Sequence, residues 1–249
     1  MRLIQITDFH TSLPGEYPYD IEVRKNLEDI LNKAFSLRPD YLVFTGDLCF
    51  RLADREVYLW QRTLFDELSI PYFIIPGNHD DGIVLRKIFD HLPPLRNDEL
   101  FYRQDLNGFS CLFLDSGKGH LSRIQKIWLA KELTELKRAI IFMHHPPHLM
   151  GVPHMDARYF LTDKVEVQSI FKTSGIPVYI FCGHYHVEKT FSQENIHVFV
   201  TPSCFCQIDQ TKEKFNIDHR NIALRVIDLE ADSILTTVYY LPGNSSLEK

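Results

Sequence analysis

The sequence lacks an excess of basic residues, because 27 lysines and arginines stand against 33 aspartates and glutamates, for a net charge of −6. This balance does not favour the polyanionic backbone of a nucleic acid, so we expect no nucleic-acid partner.

No apolar run approaches the roughly 20 residues of a membrane-spanning helix, and the first residues do not resemble a basic and then apolar leader. We therefore expect a cytoplasmic protein without a membrane partner.

Cysteine is also scarce, with five residues whose odd number and apolar surroundings are typical of reduced thiols. Cys204 and Cys206 resemble half of a metal site, but no second cysteine pair accompanies them and packing is the better interpretation.

The sequence contains no internal repeat, low-complexity tract or Gly/Ser linker. We therefore predict a single domain over 1–249, with the motifs in 1–206 and with C-terminal strands and a fraying polar tail in 207–249.

Short β-branched or aromatic runs alternate with amphipathic stretches of helical length, and this alternation predicts an α/β fold. The predicted strands are 3–7, 41–45, 72–75, 110–114, 139–143, 178–182, 197–200, 222–228 and 234–240. The predicted helices are 21–37, 53–68, 82–91, 122–136 and 163–173. The long irregular stretch 146–161 is a candidate functional loop.

Polar side chains follow five predicted strands at the point where each strand ends. They are Asp8 with His10, Asp47, Asn78 with His79, His144 with His145, and His184 with His186. Ligands bind beyond the carboxyl ends of strands in open α/β sheets, so we expect these groups to converge. Carboxylate, amide and imidazole ligands suit Mn, Fe or Zn. Seven of these side chains, all except His79 and His145, are candidate ligands, which is too many for one ion. The sequence therefore predicts two metals that share Asp47, and with them a phosphoesterase.

Single residues of this set have simpler interpretations. An aspartate after a strand is usually a turn or cap residue, and only the coincidence at five strand ends favours metal binding. Asn78 is expected to be a left-handed turn residue that also aims its amide at a metal. His144 and His145 cannot both point inward if the strand pleat continues, so one of the two is a bystander or a supporting residue.

Several neighbouring residues leave alternatives open. Asp80 either orients His79 or is an exposed cap. His148 and His154 are expected to be solvated loop residues. Tyr159, Phe160, Tyr185 and Phe205 are candidates for stacking a nucleobase, although packing is the better interpretation for each.

At this point the sequence resembles the calcineurin-like metallophosphoesterases over about 1–206. The matching blocks, in the expected order, are Asp8-x-His10, Gly46-Asp47, Gly77-Asn78-His79-Asp80, His144 and Gly183-His184-x-His186. The resemblance implies an αββα fold, a two-sheet β-sandwich flanked by helices, with the metals at its rim. It also implies two ligand sets: Asp8, His10, Asp47 and His186 for one metal, and Asp47, Asn78, His144 and His184 for the other.

Finer features are similar to those of the bacterial class III cyclic nucleotide phosphodiesterases, a group that also contains glycerophosphodiesterases. They are Leu114-Asp115-Ser116, Gln125-x-x-Trp128-Leu129, His144-His145-Pro146-Pro147 and Thr201-Pro202-Ser203. The resemblance implies hydrolysis of 3′,5′-cyclic AMP to 5′-AMP by a metal-bridging hydroxide, with Fe or Mn as the metals and Zn as a third choice. His79 and Asn78 would be catalytic, and these two with His145 and His186 would contact the substrate.

Two alternatives accompany this expectation. The same chemistry would serve a glycerophosphodiester, a nucleotide-linked pyrophosphate or a phosphomonoester. A protein of another class, a non-catalytic interaction scaffold with this fold, is disfavoured because no ligand of the motif is missing. The C-terminal strands after Cys206 are a candidate surface for a homodimer.

Overall fold

Residues 1–248 are described by the computed structural model, and they form six α-helices and thirteen strands. The helices are α1 (Val23–Ser36), α2 (Arg55–Glu67), α3 (Gly82–Ile88), α4 (Arg123–Thr134), α5 (Pro153–Arg158) and α6 (Lys164–Ser174). The first strands are β1 (Arg2–Ile6), β2 (Tyr41–Thr45), β3 (Tyr72–Ile75), β4 (Tyr102–Leu106), β5 (Phe109–Leu114), β6 (Ala139–Met143) and β7 (Val178–Cys182). The remaining strands are β8 (Lys189–Gln193), β9 (Ile196–Val200), β10 (Gln207–Ile208), β11 (Ile217–His219), β12 (Ile222–Leu229) and β13 (Ile234–Leu241).

The strands form two large sheets and one small hairpin. Sheet 1 has the order β13-β12-β1-β2-β3, in which β1, β2 and β3 are parallel and β12 pairs antiparallel with β1. Sheet 2 has the order β4-β5-β6-β7-β9-β8, with a parallel centre and antiparallel outer strands. β10 and β11 pair with each other. Parallel strands covered on both faces require nearly continuous apolar runs, and β6 is buried at all five positions.

The two sheets pack face to face, with helices on the outside. Successive residues of sheet 2 belong to different apolar cores, since Phe113 packs with sheet 1 whereas Leu112 packs with α4 and α6. The ring of Phe73 in β3 lies 5.3 Å from the ring of Phe113, which joins the sheets directly. On sheet 1, Phe65 of α2 lies 4.2 Å from Phe44 of β2. The αββα fold inferred from the sequence is therefore confirmed.

The helices begin where side chains can satisfy their first amide groups. The Asp54 carboxylate accepts hydrogen bonds from the amides of Glu56 and Val57 at the start of α2. Asp81 caps α3 in the same way, and the Ser122 hydroxyl caps α4. These caps fix helix starts within two residues of the starts predicted from apolar periodicity.

Four strands and one helix of the structure are missing from the sequence prediction. The missed strands are β4, β8, β10 and β11. β4 and β8 are the outer strands of sheet 2, and polar residues such as Arg103 and Lys189 interrupt their apolar pattern, as is usual at a sheet edge. The predicted irregular stretch 146–161 contains the short helix α5.

The prediction that the tail 241–249 frays is wrong at Asn244 and Ser245, which are held by contacts with the rest of the protein. The Asn244 amide donates to the Asn26 side chain, and the Glu22 amide donates to the Asn244 carbonyl, so this segment is fastened to the start of α1. Ser245 forms an isolated bridge with Ile21. Lys249 lies outside the described residues, and a single domain over 1–249 stays a prediction. No helix within 1–248 combines the length and the apolar character needed to cross a membrane.

Candidate metal centre

Five parallel strands end at one place on the rim of the sandwich, and the polar residues noted in the sequence follow each of them. β1, β2 and β3 of sheet 1 lead into the turns of Asp8, Asp47 and Asn78, while β6 and β7 of sheet 2 lead into His144 and His184. Backbone hydrogen bonds join the turns within each sheet: the Asp8 amide donates to the Gly46 carbonyl, and the Gly183 amide donates to the His144 carbonyl. The predicted convergence is therefore present.

The backbone of this rim is unusually strained. Five candidate ligands have positive φ angles: Asp8 (56°), His10 (46°), Asp47 (53°), His184 (69°) and His186 (51°). Non-glycine residues adopt this conformation rarely, and they persist at functional sites because the surrounding structure enforces them. Asn78 is absent from this set, so its expected left-handed conformation is wrong.

Close packing of the turns requires glycine at two positions. A Cβ atom on Gly46 would lie 2.6 Å from the Nδ1 atom of His144, and Gly46 also has a φ of 92°. A Cβ atom on Gly183 would lie 2.5 Å from the Oδ2 atom of Asp8 and would overlap the Thr7 hydroxyl. These glycines let the turns of the two sheets approach each other.

One group of potential ligands consists of Asp8, His10 and His186, whose donor atoms lie within 4.8 Å of one another. The Nε2 atoms of His10 and His186 are 3.0 Å apart, and Nε2 of His186 is 3.3 Å from Oδ1 of Asp8. Two imidazole lone pairs at 3.0 Å repel each other unless a proton or a cation lies between them. All three side chains are buried.

A second group consists of Asp47, His144 and His184, again within 4.8 Å. Nε2 of His144 lies 3.3 Å from Oδ2 of Asp47, and the same carboxylate oxygen lies 3.7 Å from Nε2 of His10. Asp47 therefore stands between the two groups, as the shared ligand predicted from the sequence would.

Backbone carbonyls set the tautomers of three histidines, because a carbonyl can only accept a hydrogen bond. Nδ1 of His144 donates to Thr45 at 2.7 Å, Nδ1 of His186 donates to Cys206 at 3.0 Å, and Nε2 of His184 donates to Tyr159 at 2.8 Å. The other ring nitrogen of each then faces the cluster. Nε2 of His144 is buried and faces Oδ2 of Asp47 at 3.3 Å without a well-aligned hydrogen bond. This nitrogen, the carboxylate and the rest of the donor set fit a bound cation.

The charges of the metal-free cluster follow from the same contacts. Burial alone lowers the pKa of His144, but the Asp47 carboxylate outweighs burial and raises that pKa to about 9. In the same way Asp8 outweighs burial and raises the pKa of His186 to about 10. Burial dominates at His10, whose pKa falls to about 3. Two imidazolium ions therefore occupy positions suited to metal cations.

His79 lies at the mouth of the cluster, with about a third of its side chain exposed. Its Nδ1 atom donates to the Arg51 carbonyl at 2.6 Å, so Nε2 faces Asp47, whose Oδ2 atom is 4.0 Å away. Asp80 does not touch this ring, so both expectations for Asp80 are wrong. Instead its carboxylate accepts hydrogen bonds from the Leu48 and Gly77 amides and from the Tyr58 hydroxyl.

His145 follows β6 but does not line the cavity formed by the described residues. Its ring lies 4.0 Å from that of His184, and its Nδ1 atom is 3.2 Å from the Ser116 hydroxyl. The structure therefore gives His145 a supporting position behind His184 and no contact with the cavity. The pleat ends at Met143, which allows both histidines to turn toward the same region.

The histidines of the 146–161 stretch are buried, so the expectation of solvated side chains is wrong. His148 packs on Phe191 with 4.2 Å between ring centroids, and Nδ1 of His154 approaches the Glu213 carbonyl at 3.3 Å. The stretch is organised by Asp156, which accepts hydrogen bonds from three successive amides beginning at Met150 and from the Tyr185 hydroxyl. Tyr185 is thus a packing residue, as expected.

A cavity of about 680 Å³ opens above both ligand groups. Asn78, exposed, and His79 lie on its wall together with Asp47, His10, His184 and His186. Seven residues that the sequence analysis did not place at the site also line it, namely Tyr19, Phe50, Met155, Arg158, Ile208, Lys214 and Phe215. No motif marks these residues, because they come from segments that only the tertiary structure brings together. Small-molecule sites commonly have this size.

Comparison with known proteins agrees with this geometry. Residues 1–188 match the family model described as calcineurin-like phosphoesterase, so the chain belongs to that family. A probable cyclic nucleotide phosphodiesterase of Fibrobacter succinogenes is 35% identical over 241 residues, which are 96% of this chain and 94% of that protein. A probable glycerophosphodiester phosphodiesterase of Arcobacter nitrofigilis is 28% identical and covers 82% of this chain and 78% of that protein.

A solved structure shows the same architecture. The dimetal phosphatase from Danio rerio superposes with a TM-score of 0.70 over 98% of both chains, at 13% identity. At 13% identity this similarity shows only that the two proteins share a fold. Membership of the family is shown by the family model and by the relatives found by sequence.

Proposed function

We propose that this protein hydrolyses a phosphodiester at a dinuclear metal centre and that its substrate is a 3′,5′-cyclic nucleotide. The observation that supports the proposal best is the position of Asp47, whose Oδ2 atom lies 3.7 Å from His10 and 3.3 Å from His144. Two ligand groups that share one carboxylate are suited to two ions, and paired ions stabilise the oxygens of an in-line phosphoryl displacement. The relative in Fibrobacter succinogenes, named as a probable cyclic nucleotide phosphodiesterase, supports the substrate class.

In this proposal Asp8, His10, Asp47 and His186 hold one ion, and Asp47, Asn78, His144 and His184 hold the other. Bound metals supply positive charge and lower the pKa of water. Fe or Mn are the ions in this proposal, with Zn as a third choice, because carboxylate oxygen, amide oxygen and imidazole nitrogen suit all three.

The chain's own residues divide the remaining work. The Nδ1–H group of His79 donates to the Arg51 carbonyl, so Nε2 faces the cavity, and the imidazolium form of the ring would donate its Nε2 proton to the departing 3′ oxygen. Asn78 lies on the exposed wall of the cavity and orients the phosphate oxygens in addition to its role as a ligand. Hydrolysis of 3′,5′-cyclic AMP breaks the bond between phosphorus and the 3′ oxygen, adds one water and gives 5′-AMP.

The experiment incubates manganese-loaded protein with 3′,5′-cyclic AMP and, separately, with glycerophosphoethanolamine, and it resolves the products by chromatography. We expect 5′-AMP to form at a rate that a chelator abolishes. If only glycerophosphoethanolamine is cleaved, the metal centre stands and the substrate class changes to glycerophosphodiesters, which the Arcobacter relative's name favours. If neither is cleaved, the proposed substrate is wrong, and the alternatives left are a nucleotide-linked pyrophosphate, a phosphomonoester and the interaction scaffold.

The shared ligand has its own test. Asp47→Ala removes a buried carboxylate from both groups, so we expect loss of at least one metal per chain by elemental analysis and loss of diester hydrolysis. Asp232→Ala, at an exposed position between β12 and β13, is the matched control and keeps both. Retention of two metals at normal affinity by Asp47→Ala contradicts the shared role.

The remaining expectations stay predictions. They are a cytoplasmic location, a small-molecule substrate without a nucleic-acid or membrane partner, and a homodimer through the C-terminal strands. β13 lies at the edge of sheet 1, where such pairing would occur.

A further inference from the structure

The cavity continues past the metal ligands to four aromatic side chains, which we call the aromatic wall: Tyr19, Phe50, Phe205 and Phe215. The ring of Tyr19 lies 5.4 Å from that of Phe215 and 6.1 Å from that of Phe205. Phe205 in turn lies 5.8 Å from Phe50 and 5.3 Å from the ring of His10. The wall is therefore continuous from a metal ligand to the outer edge of the cavity.

The outer two members of the wall expose much of their ring surface. Tyr19 is 51% exposed and Phe215 is 40% exposed, whereas Phe205, next to the metal ligands, is 4% exposed. Single exposed aromatics are common on protein surfaces, but clustered ones inside a cavity are typical of ligand-binding grooves. The exposed faces of Tyr19 and Phe215 are therefore available to a flat ligand.

The backbone that presents Tyr19 is held in a strained conformation. Tyr19 has a φ of 53° and Asp20 a φ of 59°, which is unusual for residues with side chains of this size. The surrounding structure keeps them there: Arg220 donates to the Tyr19 carbonyl, and Ser245 donates to the Asp20 carbonyl. Conformations of this kind cluster at ligand clamps.

The charge around the wall suits an anion. Arg158 and Lys214 line the cavity, both are exposed, and no ion pair involves either of them among the described residues. Among the described residues that line the cavity, one is acidic, and it is the candidate metal ligand Asp47. The cavity thus combines aromatic faces with unpaired positive charge.

We infer that the aromatic wall binds the nucleobase of a nucleotide phosphodiester, with the base stacked on Tyr19 and Phe215 while the phosphate lies at the metal centre. This inference rests on the proposed function and names the part of the substrate that the cavity recognises. Stacking on aromatic side chains tolerates different bases, so cyclic nucleotides with different bases are expected to bind. A glycerol arm has no ring and gains nothing from the wall.

The test compares two ligands on manganese-loaded protein by calorimetry: 5′-AMP, which carries a base, and glycerol 3-phosphate, which does not. Tyr19→Ala and Phe215→Ala are each expected to weaken 5′-AMP binding about tenfold and to leave glycerol 3-phosphate unchanged. Tyr19→Phe and Phe215→Trp keep an aromatic face and are expected to keep the affinity. Phe35→Ala is the matched control, because Phe35 is 57% exposed on α1 and does not line this cavity.

The outcomes separate this inference from the proposed function. Equal weakening of both ligands, unchanged 5′-AMP binding, or no 5′-AMP binding by the unmodified protein would overturn the role of the aromatic wall. If the unmodified protein hydrolyses no diester but the alanine variants selectively lose 5′-AMP, the proposed function fails and the wall stands. If the unmodified protein cleaves cyclic AMP and the alanine variants bind 5′-AMP normally, the proposed function stands, but the aromatic wall does not bind the base.

Discussion

Gly183→Ala adds one methyl group at the point where the turn after β7 meets the turn after β1. The φ of Gly183 is outside the left-handed region, so the expected effect is one of space alone. The new Cβ atom would lie 2.5 Å from Oδ2 of Asp8 and 2.9 Å from Cβ of Thr7. Ordinary carbon–oxygen contacts are roughly 1 Å longer than the first of these.

The neighbouring atoms cannot give way cheaply. The Thr7 hydroxyl donates to Asp8 at 2.7 Å, both side chains are fully buried, and the His184 amide donates to Asp8 at 2.9 Å. The methyl group therefore pushes the two turns apart by about 1 Å. Overpacking of this kind costs about 1–3 kcal/mol, and loss of the hydrogen bond to the charged Asp8 adds about 1.5–3 kcal/mol. A 1 Å displacement of catalytic groups costs about 10²-fold in rate.

Urea unfolding and diester hydrolysis measure the two effects. We expect Gly183→Ala to lose about 3 kcal/mol of unfolding free energy and about 10²-fold in kcat. Gly82→Ala is the matched control, because its Cβ atom would meet its nearest neighbour at 3.7 Å at the start of α3 and should be neutral or slightly stabilising. Stability within about 0.5 kcal/mol of the unmodified protein, together with full activity, would refute the steric argument.

Three further predictions concern the same region. His79→Ala is expected to lower kcat about 10²-fold for a cyclic nucleotide and much less for a nitrophenyl diester, whose leaving group needs no proton; equal losses contradict the acid role. Asp156→Ala removes the acceptor for three amides and is expected to cost about 2 kcal/mol in urea unfolding, so an unchanged midpoint refutes it. Because metal-free His144 and His186 have pKa values of about 9 and 10, metal loading at pH 7.5 should release about two protons, and affinity should fall as pH falls. Calorimetry in buffers of different ionisation enthalpy counts the released protons. A count near zero would show that His144 and His186 are not protonated in the metal-free protein.

The buried strands and the clustering of the candidate metal ligands were predictable from sequence for the same physical reason. Parallel strands such as β2 and β6 are covered on both faces, so their apolar runs are continuous and their ends are sharp. Polar residues placed directly after such strands have one region to occupy, the rim of the sheets. Asp47 and His144 were identified because position along the chain determines position in space there.

Other parts of the site could not be predicted, because they depend on contacts between distant segments. Tyr19 and Phe215 are separated by nearly the whole chain, and no spacing rule relates them. The carbonyls of Thr45 and Tyr159, which set histidine tautomers, carry no side-chain signature at all. The outer strand β8 was missed because its exposed polar residues hide the alternation that identifies a strand.

The pairing of β1 with β12 has a consequence for how the site is made during synthesis. Arg2 pairs with Asp228, and their side chains form a salt bridge across 226 residues of sequence. β1, which leads into the turn of Asp8, is therefore synthesised long before β12, whereas its other neighbour in the sheet, β2, follows much sooner. Contacts of such long range slow folding and leave a strand edge exposed in the meantime. One edge of β1 therefore stays unpaired until β12 has been synthesised, so the sheet that positions Asp8 is completed only after His186, the last of the candidate ligands in the sequence, has been made.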